Sequence, residues 1–131
     1  MNEIIIKQLT KDIPKLKAIY IFGSQADNTA LPNSDIDIAF LSDILLDEVT
    51  IWEISNELAF ILKKDIDLID IKKTNTIFRV QILSKANRIY CTDNISVEAF
   101  ESLAYSFYVR FKEERRVIEE QIMKDGKVLN V

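Results

Sequence analysis

Two aspartates, Asp35 and Asp37, flank one isoleucine at the head of the apolar stretch Asp-Ile-Asp-Ile-Ala-Phe-Leu, residues 35–41. Alternate side chains of a strand share a face, so both carboxylates point one way while Ile36 and Ile38 point the other. Held that close without a counter-charge they repel, and one is driven towards its protonated form. A divalent cation removes the conflict. Magnesium suits such a pair because it takes hard oxygen ligands, few of them from protein, and leaves its other positions to water and phosphate. Upstream lies Gly23-Ser24, with ten residues between Ser24 and Asp35. A glycine there lets the backbone approach a ligand closely, and the amides beyond it, helped by the Ser24 hydroxyl, can donate to phosphate oxygens. A triphosphate fits between that turn and the metal, where two ions about 3.5 to 4 Å apart would stabilise the attacking and leaving oxygens of an in-line displacement at phosphorus. A third carboxylate is expected on a neighbouring strand. The run Asp-Ile-Asp-Leu-Ile-Asp, residues 65–70, offers Asp65, Asp67 and Asp70; the first two share a face and the last does not.

The elements that must hold these groups are legible as periodicities. Residues 2–15 carry Ile5, Leu9 and Ile13 four apart, an amphipathic helix with Pro14 at its end. Short β-branched and aromatic runs at 18–23, 35–41, 65–71 and 88–91 read as strands. Between the second and third, Ile51, Ile54, Leu58 and Ile61 mark a helix over 47–63, and a shorter one is expected over 76–84. From Ser96, taken as N-cap, to Gly126, taken as terminator, apolar residues recur at Phe100, Leu103, Ala104, Phe107, Phe111, Ile118 and Ile122. A helix of about 30 residues is roughly 45 Å long. Either it breaks, or part of its stripe projects and waits for a partner chain.

Composition bounds the alternatives. A length of 131 residues suits one domain, residues 1–131, with 95–131 as its C-terminal helix and partner-binding extension. A net charge of −4 argues against a protein that grips nucleic acid backbones. Cys91 is the only cysteine, which excludes an intrachain disulfide and favours a reducing cytoplasm. Ile4-Ile5-Ile6 is far too short for a signal sequence or membrane span, so a soluble cytoplasmic protein is expected. Histidine is absent, so Ser-His and Cys-His mechanisms are excluded and chemistry must rest on carboxylates, lysines or a bound ion.

The stretch Gly-Ser-Gln-Ala-Asp-Asn-Thr-Ala-Leu-Pro-Asn-Ser-Asp-Ile-Asp, residues 23–37, is similar to the Gly-Ser-x10-Asp-x-Asp signature of minimal nucleotidyltransferases in the polymerase-β-like superfamily. More narrowly, the chain resembles the MNT antitoxins that pair with HEPN ribonuclease toxins. The likeness runs from Ala18 to about Cys91 and would align Asp67 with the family's third acid. It implies an α/β (α+β) polymerase-β-like nucleotidyltransferase fold, with a small mixed sheet, helices packed mainly on one face and a long C-terminal helix. The implied activity is transfer of AMP from magnesium ATP to a tyrosine hydroxyl of the HEPN toxin, in a hetero-oligomer with it, with no direct nucleic acid or membrane binding. Gly23 and Ser24 would hold the phosphates; Asp35, Asp37 and Asp67 would be the catalytic acids and the ligands of two magnesium ions. One departure stands out: many relatives read Gly-Ser-x-Ala-Arg-Gly, where this chain keeps Ala26 but has Asp27 and Asn28. The rival readings are an antitoxin that acts by binding alone and an aminoglycoside-type small-molecule nucleotidyltransferase. Lys63 and Lys64 read as a solvated helix end or as phosphate contacts, Cys91 as a small buried hydrophobe, and Trp52, Tyr105 and Tyr108 as core aromatics, interface anchors or base-stacking groups.

Overall fold

A computed structural model describes residues 1–25, 31 and 34–125. Helix α1 spans Asn2–Asp12, strand β1 Leu16–Phe22, β2 Ile36–Ser42, helix α2 Glu48–Leu62, β3 Ile66–Asp70, α3 Thr76–Lys85, β4 Asn87–Cys91 and α4 Asn94–Asp125. Short 3₁₀ turns follow β1 at Gly23–Gln25 and β3 at Ile71–Lys73. The four strands form one sheet in the order β3-β2-β1-β4. The sheet is mixed, as expected: β1 runs antiparallel to β2 and β4, while β2 and β3 are parallel, joined by a crossover through α2.

The sequence reading has the helices mainly on one face; the structure instead gives a pair to each. Ile5, Leu9 and Ile13 of α1 and its end, with Ile54 and Leu58 of α2, pack against Ile19, Ile21, Ile36, Ile38, Phe40 and Leu68. On the other face, Ile82 of α3 and Val97 of α4 close over Ala18, Tyr20, Ala39 and Leu41. The physical reason lies in the strands: β1 and β2 are apolar on both faces, as fully covered strands are. An amphipathic stripe says that a helix is buried, not against which face.

Local capping sets the helix starts. The Asp47 carboxylate accepts from the Thr50 amide at 2.7 Å and the Asn75 side chain from the Phe78 amide at 2.8 Å, starting α2 and α3. Asn75→Ala should cost about 1 kcal/mol of stability, read from the midpoint of urea unfolding. Helix α4 begins before Ser96, because the Asp93 carboxylate takes the Ile95 amide at 3.1 Å and the Ser96 amide at 3.5 Å. The Ser96 hydroxyl instead accepts from the Lys17 ammonium at 3.1 Å. Gly126, the expected terminator, lies outside the described residues.

Helix α4 does not break. Its 32 residues reach about 48 Å at 1.5 Å each. Near its start Ser96 is tied to Lys17, and five residues on Glu101 accepts from the Tyr20 hydroxyl at 2.9 Å. The helix therefore climbs alongside β1 in the same direction and continues beyond the Gly23 end of the sheet. Past Ala104 its side chains are mostly exposed, including Phe107, Val109, Phe111, Ile118 and Met123. Arg116 pairs with Glu113 and Glu120, and Arg115 with Glu119 at 3.2 Å, so the outlying turns are braced along their own surface. Among the described residues no helix is long and apolar enough to cross a membrane.

Candidate active site

Asp37 sits in β2 directly across from Phe22, the last residue of β1, and is in register with Asp67 on the parallel strand β3. By alternation, Asp35, Asp37 and Asp67 point to the face that α3 and α4 cover. Asp37 is half-buried, and Asp35 and Asp67 are exposed at the end of the sheet. The Ile36 amide donates to the Asp65 carbonyl at 2.9 Å, which pins the two strands at this end. Burial first, and then the charges of Asp67 and Asp35, push the Asp37 carboxyl above the ordinary carboxylate range. Asp70 lies apart, buried beside α2 with one oxygen accepting the Lys72 amide at 3.0 Å.

Gly23 closes the arrangement. Its φ is +70°, in the left-handed region, and a Cβ built on it would stand 2.2 Å from Asp37 Oδ2. Any larger residue here would push the Asp37 carboxylate out of place. Ser24 follows, half-buried in the same 3₁₀ turn. The turn and the acids are therefore one compact unit, with the turn's backbone against the oxygens of Asp37. Phe22 continues the wall, its ring edge-on to Phe78 of α3 with 6.4 Å between centroids. No sequence signal pairs those two rings, since only the packing of α3 brings them together.

These carboxylates fit a magnesium ion on the chemistry of the donors. They supply hard oxygens, and their mutual repulsion at Asp37 is an excess of negative charge that a divalent cation offsets. Among the described residues no three His, Cys, Asp or Glu groups form a ready-made ion cage. A magnesium site needs only one or two carboxylates, with phosphate and water for the rest.

Other sequence candidates fall elsewhere. Lys63 is the left-handed C-cap of α2, φ 56°, a backbone role at an exposed helix end. Cys91 is half-buried, its thiol donating to Asn94 Oδ1 at 3.3 Å, rather than fully enclosed. Trp52 and Tyr105 are exposed, and Tyr108 lies under the Lys112 ammonium, so none of the three belongs to the core. Asp27 and Asn28, where many relatives carry Arg and Gly, lie outside the described residues. Arg79 was not anticipated from sequence. Its guanidinium donates to the carbonyls of Ile71, Lys72 and Thr74 within 3.1 Å and lies over the Phe100 ring, locking the turn after β3 against α4.

Residues 3–95 match the family model described as polymerase beta, nucleotidyltransferase. The chain is 37% identical over 119 residues to the protein adenylyltransferase MntA of Shewanella oneidensis, spanning 91% of this chain and 85% of that one. Among solved structures, it resembles a toxin–antitoxin crystal structure with AMP-PNP, with a TM-score of 0.82 and 36% identity over 93% of this chain and 98% of the other. It also resembles the complex of a tri-AMPylated Shewanella oneidensis HEPN toxin with its MNT antitoxin, with a TM-score of 0.76 and 34% identity over 93% and 95% of the two chains. With the turn, the acids and the sheet arranged as they are, the chain belongs to the polymerase beta nucleotidyltransferase family, alongside the protein adenylyltransferase MntA.

Proposed function

We propose that this protein is an antitoxin that moves AMP from ATP to a tyrosine hydroxyl of a HEPN toxin and thereby silences it. The observation that carries the reading is the contact of the Gly23 turn with Asp37, which itself faces Asp67 across two parallel strands. Gly23 and Ser24 hold the triphosphate through backbone amides and a hydroxyl. Asp35, Asp37 and Asp67 would hold two magnesium ions, which when bound offset the charge of the triphosphate. The acceptor oxygen attacks the α-phosphorus, the bond from that phosphorus to the oxygen bridging to the β-phosphate breaks, and pyrophosphate leaves. Asp67, exposed at the edge of the sheet, takes the hydroxyl proton. Support comes from MntA, named as a protein adenylyltransferase, and from the relative solved with an AMPylated toxin.

The partner would lie along the outer half of α4, where among the described residues Phe107, Val109, Ile118 and Met123 are exposed. The assembly is then a hetero-oligomer of antitoxin and toxin, placed in the cytoplasm, where ATP and magnesium are at hand. Incubation with a cognate HEPN toxin, α-labelled ATP and magnesium should put label on the toxin. Neutralisation without label, in cells and in vitro, would replace the transferase by an antitoxin acting through contact alone. Label on an aminoglycoside instead of the toxin would move the acceptor to a small molecule.

A further inference from the structure

The outer edge of β3 carries a second feature, separate from the phosphate turn. A cleft of about 450 Å³ runs between this edge strand and α2, with Trp52 and Glu48 on one rim and Lys73 on the other, and both Asp67 and Asp70 line it. Asp70 is only 3% exposed, and its Oδ2 is buried with no hydrogen-bond partner among the described residues. Such an acceptor lacks the bond it would have had in water. Three carboxylates line the cleft against one ammonium, and that one is engaged, since Lys73 Nζ donates to the Leu46 carbonyl at 2.6 Å. Ser55 already hydroxyl-bonds the outward carbonyl of Ile66 at 2.8 Å, while Leu68 beyond it presents its outward backbone groups at the sheet edge. Trp52, 65% exposed, offers an apolar ring beside that edge.

We propose that this cleft is the docking groove for the acceptor segment: an extended stretch of the partner protein laid on β3, its hydroxyl at Asp67 and a lysine or arginine reaching Asp70. The proposal rests on the transferase reading above. Three properties select this occupant. An extended chain supplies the backbone groups the strand edge lacks, a cation matches the carboxylate excess, and its donor gives Asp70 Oδ2 the partner it is missing. Asp67 and Asp70 are three residues apart and on opposite sides of the strand. The basic residue should therefore stand about three positions from the acceptor tyrosine, a span of roughly 10 Å on an extended chain.

Trp52 is the chain's only tryptophan, so its emission reports the cleft directly. The probe is a blocked, tryptophan-free peptide with tyrosine and arginine three positions apart, added to the full-length protein without nucleotide. Emission should shift and saturate, with at least ten-fold weaker binding when glutamate replaces the arginine, and similarly in Asp70→Asn. In AMP transfer to the intact toxin, Asp70→Asn and the exposed-site variant Trp52→Ala should each raise the KM for toxin five-fold or more and leave the KM for ATP unchanged. Unmoved emission with every peptide overturns the groove, as does wild-type toxin KM in both variants; in the latter case the transferase reading stands without it. Saturable, Asp70-dependent peptide binding by a protein that labels no toxin supports the groove and removes the transferase.

Discussion

Replacing Asp37 by asparagine should reduce AMP transfer by roughly 10²- to 10³-fold, the scale on which removal of one charged or polar stabiliser of a transition state is felt. In the metal-free protein the same change should raise the melting temperature at neutral pH. Burial and the neighbouring charges of Asp67 and Asp35 lift the Asp37 carboxyl above its ordinary value of 3.8 in the folded chain. For an acid shifted upward, ionisation is easier in the unfolded chain, so the folded state loses stability as pH rises from that value through the folded one. The gain from Asp37→Asn should therefore be present at pH 7 and vanish below the ordinary carboxylate range, where aspartate is protonated in both states. Magnesium supplies a second check. It should raise the wild-type melting temperature, because an ion held by the folded state stabilises it, and raise that of Asp37→Asn much less. Label transfer and thermal melts across pH, with and without magnesium, measure all three. A variant that melts lower at every pH would mean that Asp37 is held by favourable bonds and not by an absent ion.

Gly23→Ala joins two penalties in one methyl group. The left-handed φ of +70° costs an alanine roughly 1 to 2 kcal/mol, and the new Cβ meets Asp37 Oδ2, which has to swing away. A displacement of that size at the reacting centre lowers transfer by roughly 100-fold. The double variant Gly23→Ala/Asp37→Asn separates the two effects. Its activity should be close to that of the worse single variant, because both damage the same atoms, and not to the product of the two losses. Single-turnover labelling, paired with urea unfolding, reads both components.

Much of this was visible in the residues themselves. Asp35 and Asp37 announce a shared face by their spacing, Gly23-Ser24 announces a turn by composition, and the fold brings that turn against Asp37. Asp67 was harder. Asp65 and Asp67 are equivalent by alternation, and it is the parallel register of β2 and β3 that sets Asp67 opposite Asp37. Register is a relation between distant segments, and periodicity within either strand does not contain it. The same limit explains the helices: α3 and α4 take the face opposite α1 and α2 because β1 and β2 are apolar on both sides. Ser96 failed as an N-cap because two residues in the region can cap, and Asp93 takes the amides once Lys17 engages the serine. Asp70 looked like the odd acid of its strand, and only packing against α2 turned its off-face position into a buried, half-satisfied carboxylate.

The projecting half of α4 has a mechanical side. From Tyr105 to Asp125 it extends roughly 30 Å beyond its seat at 1.5 Å per residue, while the seat is confined to the first turns: Ser96 on Lys17, buried Val97 and Ala104, Phe100 under Arg79, and Glu101 taking the Tyr20 hydroxyl and Arg88 at 3.0 Å. A long arm on a short mount behaves as a lever. A tilt of a few degrees at that seat becomes a displacement of ångströms at the tip, so the aim of the outer surface is set by the first turns of the helix and by what they pack against.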